Sequence, residues 1–197
     1  MNAAEQLIVF VKAPRPGSVK TRLAKTMGSE QACAAYRELV TKVLAAVESF
    51  HVELRFSPDD AQQEIAPWLR NNWTAAPQGD GDLGARMNRA FTDAFARGVE
   101  RVVVIGSDCV ELEAKDIRSA FRELKDHDLV VGPATDGGYW LIGLRSPQPE
   151  LFREIAWSTD EVLGKTLQRA KGLGLNIQLL RILNDVDNEE DWRRAAE

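Results

Sequence analysis

The sequence predicts an α/β fold, a three-layer α/β/α sandwich built on a mostly parallel sheet, and three observations lead there. Residues 7–11 and 102–105 are continuous apolar runs, as expected for strands buried on both faces. Strand-like and helix-like segments alternate along the whole chain. The longer helical segments each carry a single apolar stripe, so each covers a sheet from one side.

Residues 7–11 read as the first, central strand. After a loop with Pro14, Pro16 and Gly17, Ser29 opens a long helix in which Tyr36, Leu39, Val40, Val43, Leu44 and Val47 share one face. Val52, Leu54 and Phe56 alternate as a second strand. Ser57-Pro58-Asp59 is a turn that starts a helix to about Leu69, and residues 73–76 predict a third strand. The glycine-rich stretch 79–84 leads into a helix with Leu83, Met87, Ala90, Phe91, Ala94 and Phe95 on one face. The fourth strand, 102–105, stops at Gly106-Ser107-Asp108 and is followed by a helix over residues 113–124. Residues 129–131 and 139–144 predict two strands around the loop 133–138. Thr159 is the expected N-cap of a helix through Ala170, residues 177–180 form a late strand, and Asp187 or Asn188 caps a short last helix.

With 197 residues, 44% of them hydrophobic, the chain fits one domain over residues 1–197. Such a chain buries about 70% of its unfolded surface and needs no disulfide or zinc to stay folded. Cys33 and Cys109 lack metal-site spacing. No apolar run approaches the ~20 residues that span a bilayer, and the N-terminus has no basic, cleavable leader, so the expected location is cytoplasmic, without membrane contact. A net charge of −5 argues against nucleic acid as a partner.

The distribution of charge says more than its sum. Residues 6–29 carry Lys12, Arg15, Lys20, Arg22 and Lys25 without one acid, whereas Asp185, Asp187, Glu189, Glu190 and Asp191 crowd together without a base. The basic segment leaves the first strand, and Asp108 leaves the fourth. In an open α/β sheet, ligands bind beyond the carboxyl ends of the strands.

The first loop lacks the Walker pattern, since Val19 precedes Lys20, and the Gly-x-Gly-x-x-Gly fingerprint is absent too. A Gly-bearing loop opening a helix still points N–H groups at an anion, and Lys20 and Arg22 add charge there. The alternative is a basic surface loop. One or two carboxylates plus substrate phosphates suffice for Mg2+, and Asp108 with Asp187 supplies such a pair, although Asp187 could instead be a helix cap. The loop 134–138 reads as either a hairpin or a ligand wall. Its glycines permit close approach, and the two aromatics of the strand it enters, Tyr139 and Trp140, either floor a ligand or fill the core. His51 and His127 lie in no Ser or Cys pairing, which leaves covalent catalysis without support.

Taken in order, residues 11–23 (Val-Lys-Ala-Pro-Arg-Pro-Gly-Ser-Val-Lys-Thr-Arg-Leu), Gln78-Gly79, residues 82–87, residues 105–109, residues 132–144 and Asp185-Val186-Asp187 resemble a bacterial glycosyltransferase-like family. That family lies in the GT-A, or nucleotide-diphospho-sugar transferase, superfamily, and the resemblance spans nearly the whole chain. The first loop is also similar to that of the 2-phospho-lactate guanylyltransferases. Val110 departs from the family pattern, which has Pro there.

The resemblance implies a transferase using Mg2+ or Mn2+, with Asp108 and Asp187 at the metal. It places Lys12, Gly17, Lys20, Thr21, Arg22, Gln78 and Gly79 at the nucleotide. Asp136, Gly137, Gly138, Tyr139 and Trp140 are expected at a small-molecule acceptor, with Lys20, Arg22 and Asp136 serving the chemistry. The leading expectation is nucleotidyl transfer from an NTP to a phosphate-bearing acceptor. Glycosyl transfer from a nucleotide sugar is the enzymatic alternative, and a non-catalytic nucleotide-binding protein is the other. The base, the acceptor and the oligomeric state are not legible.

Overall fold

The structure is a computed structural model that describes residues 4–196. Seven strands, β1 (Glu5–Lys12), β2 (Val52–Ser57), β3 (Thr74–Pro77), β4 (Arg101–Ile105), β5 (Leu129–Pro133), β6 (Tyr139–Leu144) and β7 (Ile177–Leu179), form one sheet in the order β3-β2-β1-β4-β6-β5-β7. All pairings are parallel except those of β6, which runs antiparallel to both β4 and β5. The helices are α1 (Thr21–Met27), α2 (Ser29–Ala46), α3 (Gln62–Ile65), α4 (Leu83–Ala96), α5 (Ala114–Glu123), α6 (Val162–Gly172) and α7 (Glu189–Ala196).

The apolar runs divide as the pleat requires. Leu7, Val9 and Val11 of β1, with Val103 and Ile105 of β4, pack under α2 and α5. Ile8, Val102 and Val104 pack on the other face, under α4 and α6. This gives the three layers and a central strand buried on both sides. A third, smaller cluster of Leu23, Ala32 and Ala35, flanked by Met27 and Trp192, holds α1 between α2 and α7.

Some elements differ in detail from their sequence signals. The segment after Ser57 makes only a single turn of α-helix, α3, followed by a 3-10 turn at Ala66–Trp68 that holds Pro67. Thr159 does not cap α6: its hydroxyl donates to the Ala156 carbonyl at 2.7 Å, and Glu161 stands at the N-cap.

The strand β6 carries a bulge: Leu141 faces Gly132 and Tyr139 faces Pro133, which leaves Trp140 as the extra residue. Its indole lies over Gly132, where an added Cβ would collide with the ring. Trp140 is 2% exposed, so the ring has nowhere to move. Gly132→Ala is therefore expected to destabilise the fold by about 1–3 kcal/mol, as overpacking does. Gly164→Ala, in an exposed stretch of α6 with nothing near the added carbon, should instead stabilise by up to ~1 kcal/mol. Urea denaturation of both variants checks the pair.

Candidate active site

The first loop leaves β1 at the middle of the sheet and hangs from α2. Tyr36 Oη accepts the Lys12 N–H at 2.7 Å and lies 3.3 Å from Ser107 Oγ, joining the ends of β1 and β4. Burial pushes the Tyr36 phenol up to about 12, so it stays neutral as a brace. The Pro14 carbonyl accepts from Cys33 Sγ and from Arg37 Nη2, at 2.9 and 3.2 Å. Arg15 is committed elsewhere, to Asp60 and Glu64 beside α3 at 3.1 and 2.6 Å. Lys12 and Thr21 are exposed, and Gly17 takes φ +80°, which its missing side chain permits.

Lys20 stands just before α1 with φ 46° and ψ 48°, a left-handed conformation that costs a non-glycine residue roughly 1–2 kcal/mol. The turn sends its side chain inward, to 7% exposure. The ammonium then lies 2.7 Å from Asp108 Oδ2 and 3.6 Å from Asp187 Oδ1. Burial alone would lower its pKa, but the charges of Asp108 and then Asp187 and Asp185 override it and leave the ammonium more firmly protonated than usual. Arg22, 65% exposed, reaches Asp187 Oδ2 at 2.9 Å from the first turn of α1.

The carboxylates meet because the segment after β7 runs alongside the end of β4. The Val186 N–H donates to the Asp108 carbonyl at 3.1 Å, which sets Asp185 and Asp187 beside Asp108. With one ammonium 2.7 Å from Asp108 and 3.6 Å from Asp187, the two carboxylates are close enough to share a cation. Asn188, not Asp187, caps α7, accepting the Glu190 and Asp191 N–H groups at 2.9 and 3.0 Å.

Sequence reasoning did not single out Asp185. Its Oδ1 is enclosed and has no hydrogen-bond partner. Burial first, then the charges of Asp108 and Asp136, push its carboxyl well above the usual range. The signal that would have found it is the Asp-x-Asp spacing, which puts two side chains on one side of an extended segment.

The loop 134–138 is a hairpin turn between β5 and β6, and it also leans on the acidic segment. The Thr135 N–H donates to the Leu183 carbonyl at 3.2 Å and its hydroxyl to Asn184 Oδ1 at 2.8 Å, while Asn184 Nδ2 donates to Glu111 at 2.9 Å. Asp136 is exposed, its Oδ1 accepts the Gly138 N–H at 2.9 Å, and its charge is felt at Asp185. Gly137, at φ +86°, lies against the backbone of Asp160, where any Cβ would collide.

Four residues expected at a ligand are engaged within the fold instead. Gln78 is buried, and its amide donates to the Val11 and Arg55 carbonyls at 3.1 and 2.9 Å, so it braces strand ends and has no N–H left for a nucleotide. Gly79 likewise gives its N–H to Asp59 at 3.0 Å. Trp140 lies in the core on the α2 face, with its indole N–H on the Arg181 carbonyl at 3.2 Å. Tyr139 packs on the opposite face with its hydroxyl near Met87. Neither ring floors an acceptor pocket, because each strand face beneath a helix must be filled.

Among the described residues, no three His, Cys, Asp or Glu side chains form a ready cage for a metal, and Lys20 stands between two of the three carboxylates. The donor set fits a hard cation nonetheless: it is all carboxylate oxygen, and one of those oxygens has no partner.

Known proteins resemble this chain over nearly its whole length. A crystal structure from Desulfovibrio desulfuricans, of a protein provisionally assigned as a nucleotide-diphospho-sugar transferase, superposes with a TM-score of 0.89 at 34% identity, covering 95% of this chain and 84% of that one. A 2-phospho-L-lactate guanylyltransferase of Methanocaldococcus jannaschii is 24% identical over 195 residues, 97% of this chain and 83% of that protein. A Mycobacterium tuberculosis protein solved with manganese shares the fold alone, at a TM-score of 0.60 and 14% identity over 98% of this chain and 97% of that one.

Fold and relatives define a transferase of the superfamily that includes the nucleotidyltransferases and nucleotide-diphospho-sugar transferases. Within it, the chain belongs to the family described as "Uncharacterized protein conserved in bacteria (DUF2064)", matched over residues 40–159.

Proposed function

We propose that the chain catalyses metal-dependent nucleotidyl transfer, from an NTP to a small acceptor that carries a phosphate. The observation that carries this reading is the convergence of Lys20 and Arg22 on Asp108 and Asp187 at the carboxyl edge of the sheet. Such an edge offers cations to a polyphosphate and carboxylates to a metal. The guanylyltransferase relative supports the same reaction class.

An acceptor phosphate oxygen attacks the α-phosphorus, a new P–O bond forms, the bond to the β-phosphate bridging oxygen breaks, and pyrophosphate leaves with the electron pair. Lys20 and Arg22 face the phosphates and stabilise the charge that moves to pyrophosphate. Asp108, Asp187 and Asp185 would hold Mg2+ or Mn2+, which supplies charge neutralisation at the phosphates when bound. Lys12, exposed at the end of β1, adds attraction for the triphosphate, and Gly17 and Thr21 border it. The cytoplasm, as the source of NTPs, is the compartment this reading requires.

Asp136 orients the acceptor. A phosphate acceptor is already ionised, so no base is needed, and the side chain with the Gly137-Gly138 turn contacts the acceptor's polar groups. Asp136→Asn, which keeps the acceptor oxygen for the Gly138 N–H, should raise the acceptor KM about tenfold, the equivalent of 1.4 kcal/mol, and leave NTP affinity unchanged. A fall in kcat at unchanged KM would instead make Asp136 a base.

The direct test uses α-labelled NTPs with a panel of phosphorylated hydroxy acids and sugar phosphates, following label transfer and pyrophosphate release. Transfer from at least one NTP is expected. The Desulfovibrio relative's assignment favours a second reading, glycosyl transfer. Release of a nucleoside diphosphate from a nucleotide sugar, with no pyrophosphate from any NTP, would establish that reading instead.

A further inference from the structure

We propose that Lys20 is a resident counter-cation of the carboxylate cluster, one that excludes a divalent metal until its ammonium is drawn to another anion. The inference deepens the nucleotidyl-transfer reading and rests on it for the identity of that anion, a triphosphate.

The geometry supports exchange rather than a permanent ion pair. The ammonium is hydrogen-bonded to Asp108 and near Asp187, the same oxygens a metal would need at about 2.0–2.1 Å. Two cations cannot share those oxygens without strong repulsion, so metal entry requires the lysine to leave. Arg22, on the same Asp187, lies in solvent, whereas Lys20 is enclosed. Removing the ammonium with nothing in its place leaves Asp108 and Asp187 side by side without their enclosed counter-cation, and that is also unfavourable.

Lys20 is also placed to move. It sits at a strained left-handed residue at the start of a seven-residue helix. That helix is anchored by its own small cluster around Leu23, separate from the two main cores. Val19, just before Lys20, is fixed in the larger core, so the motion required is that of the lysine side chain and the start of α1, not of the strand end.

The consequence is a coupling between two ligands. Metal alone must displace the lysine into a place without a partner, and triphosphate alone must strip the carboxylates of their cation. Arriving together, each ligand supplies what the other removes. Such couplings are reciprocal and typically amount to about 5- to 150-fold.

The test measures Mn2+ binding by electron paramagnetic resonance on the full chain, with Mn2+ alone and with each of the four non-hydrolysable NTP analogues. Lys20→Met should bind Mn2+ alone about 5- to 150-fold more tightly than wild type. One analogue should raise the wild-type affinity by a similar factor, but not that of the variant. Lys20→Asn, which tolerates the left-handed backbone, should behave like Lys20→Met. If either variant is unstable without metal, Mn2+ should raise its melting temperature more than that of wild type, which carries the same information.

Variants that bind Mn2+ no more tightly than wild type would overturn the inference. So would wild type that binds Mn2+ alone as tightly as Lys20→Met does. A gain in the variants, with no triphosphate affecting wild type, would sustain the counter-cation role and remove the nucleotidyl-transfer reading.

Discussion

Asp108→Asn lowers turnover by about 10²- to 10³-fold, the usual loss when one preorganised electrostatic group is removed from a transfer site. The amide keeps the size of the side chain and can still accept from Lys20, which retains Asp187 within 3.6 Å. The backbone link from Val186 to the Asp108 carbonyl does not involve the side chain, so Asp185 and Asp187 stay in place. What disappears is one full negative charge among the three carboxylates. Initial rates at saturating NTP, with a thermal melt to confirm folding, give the result. Wild-type turnover in a folded Asp108→Asn variant would remove Asp108 from the chemistry.

Lys20→Ala weakens nucleotide binding roughly 10- to 150-fold, because a charge-assisted hydrogen bond to a buried anion contributes about 1.5–3 kcal/mol. The enclosed position of the ammonium is what puts the effect toward the upper part of that range. Lys12→Ala, at the exposed end of β1, is expected to cost far less, since exposed charges are screened. Calorimetric titration of both variants with the same triphosphate compares them directly. Equal losses at the two positions would mean that the site reads net charge rather than the placement of Lys20.

Much of the fold was legible because its strongest elements are buried on both sides. The uninterrupted runs at residues 7–11 and 102–105 have no polar face to offer solvent, and they became the central strands. The reversed direction of β6 was latent in Asp136-Gly137, a hairpin signal, whereas the bulge at Trp140 follows from how its ring meets Gly132 across the strands. No local pattern encodes that contact.

The candidate site was legible in its charges and not in its scaffolding. Lys20, Arg22, Asp108 and Asp187 stand out because unpaired charge types sit at strand ends. Gln78 read as a ligand group through the family resemblance and Trp140 through its ring beside two glycines, since sequence does not reveal whether a polar atom is already spent on a neighbouring carbonyl. Arg15, in the same basic segment, is instead held by Asp60, before α3, and Glu64, within it. Asp185 needed the opposite information, an enclosed carboxylate whose environment gives it no partner.

The central claim is that the first loop receives a triphosphate together with a divalent cation. Calorimetry of wild type against the four non-hydrolysable NTP analogues and a set of nucleotide sugars, each with and without Mg2+, tests it most directly. The account predicts that one triphosphate binds at least tenfold more tightly with Mg2+ than without, a gain of about 1.4 kcal/mol, and that Lys20→Ala abolishes most of that affinity. Tight binding of a nucleotide sugar with none of any triphosphate, or triphosphate binding indifferent to both Mg2+ and Lys20, would contradict it.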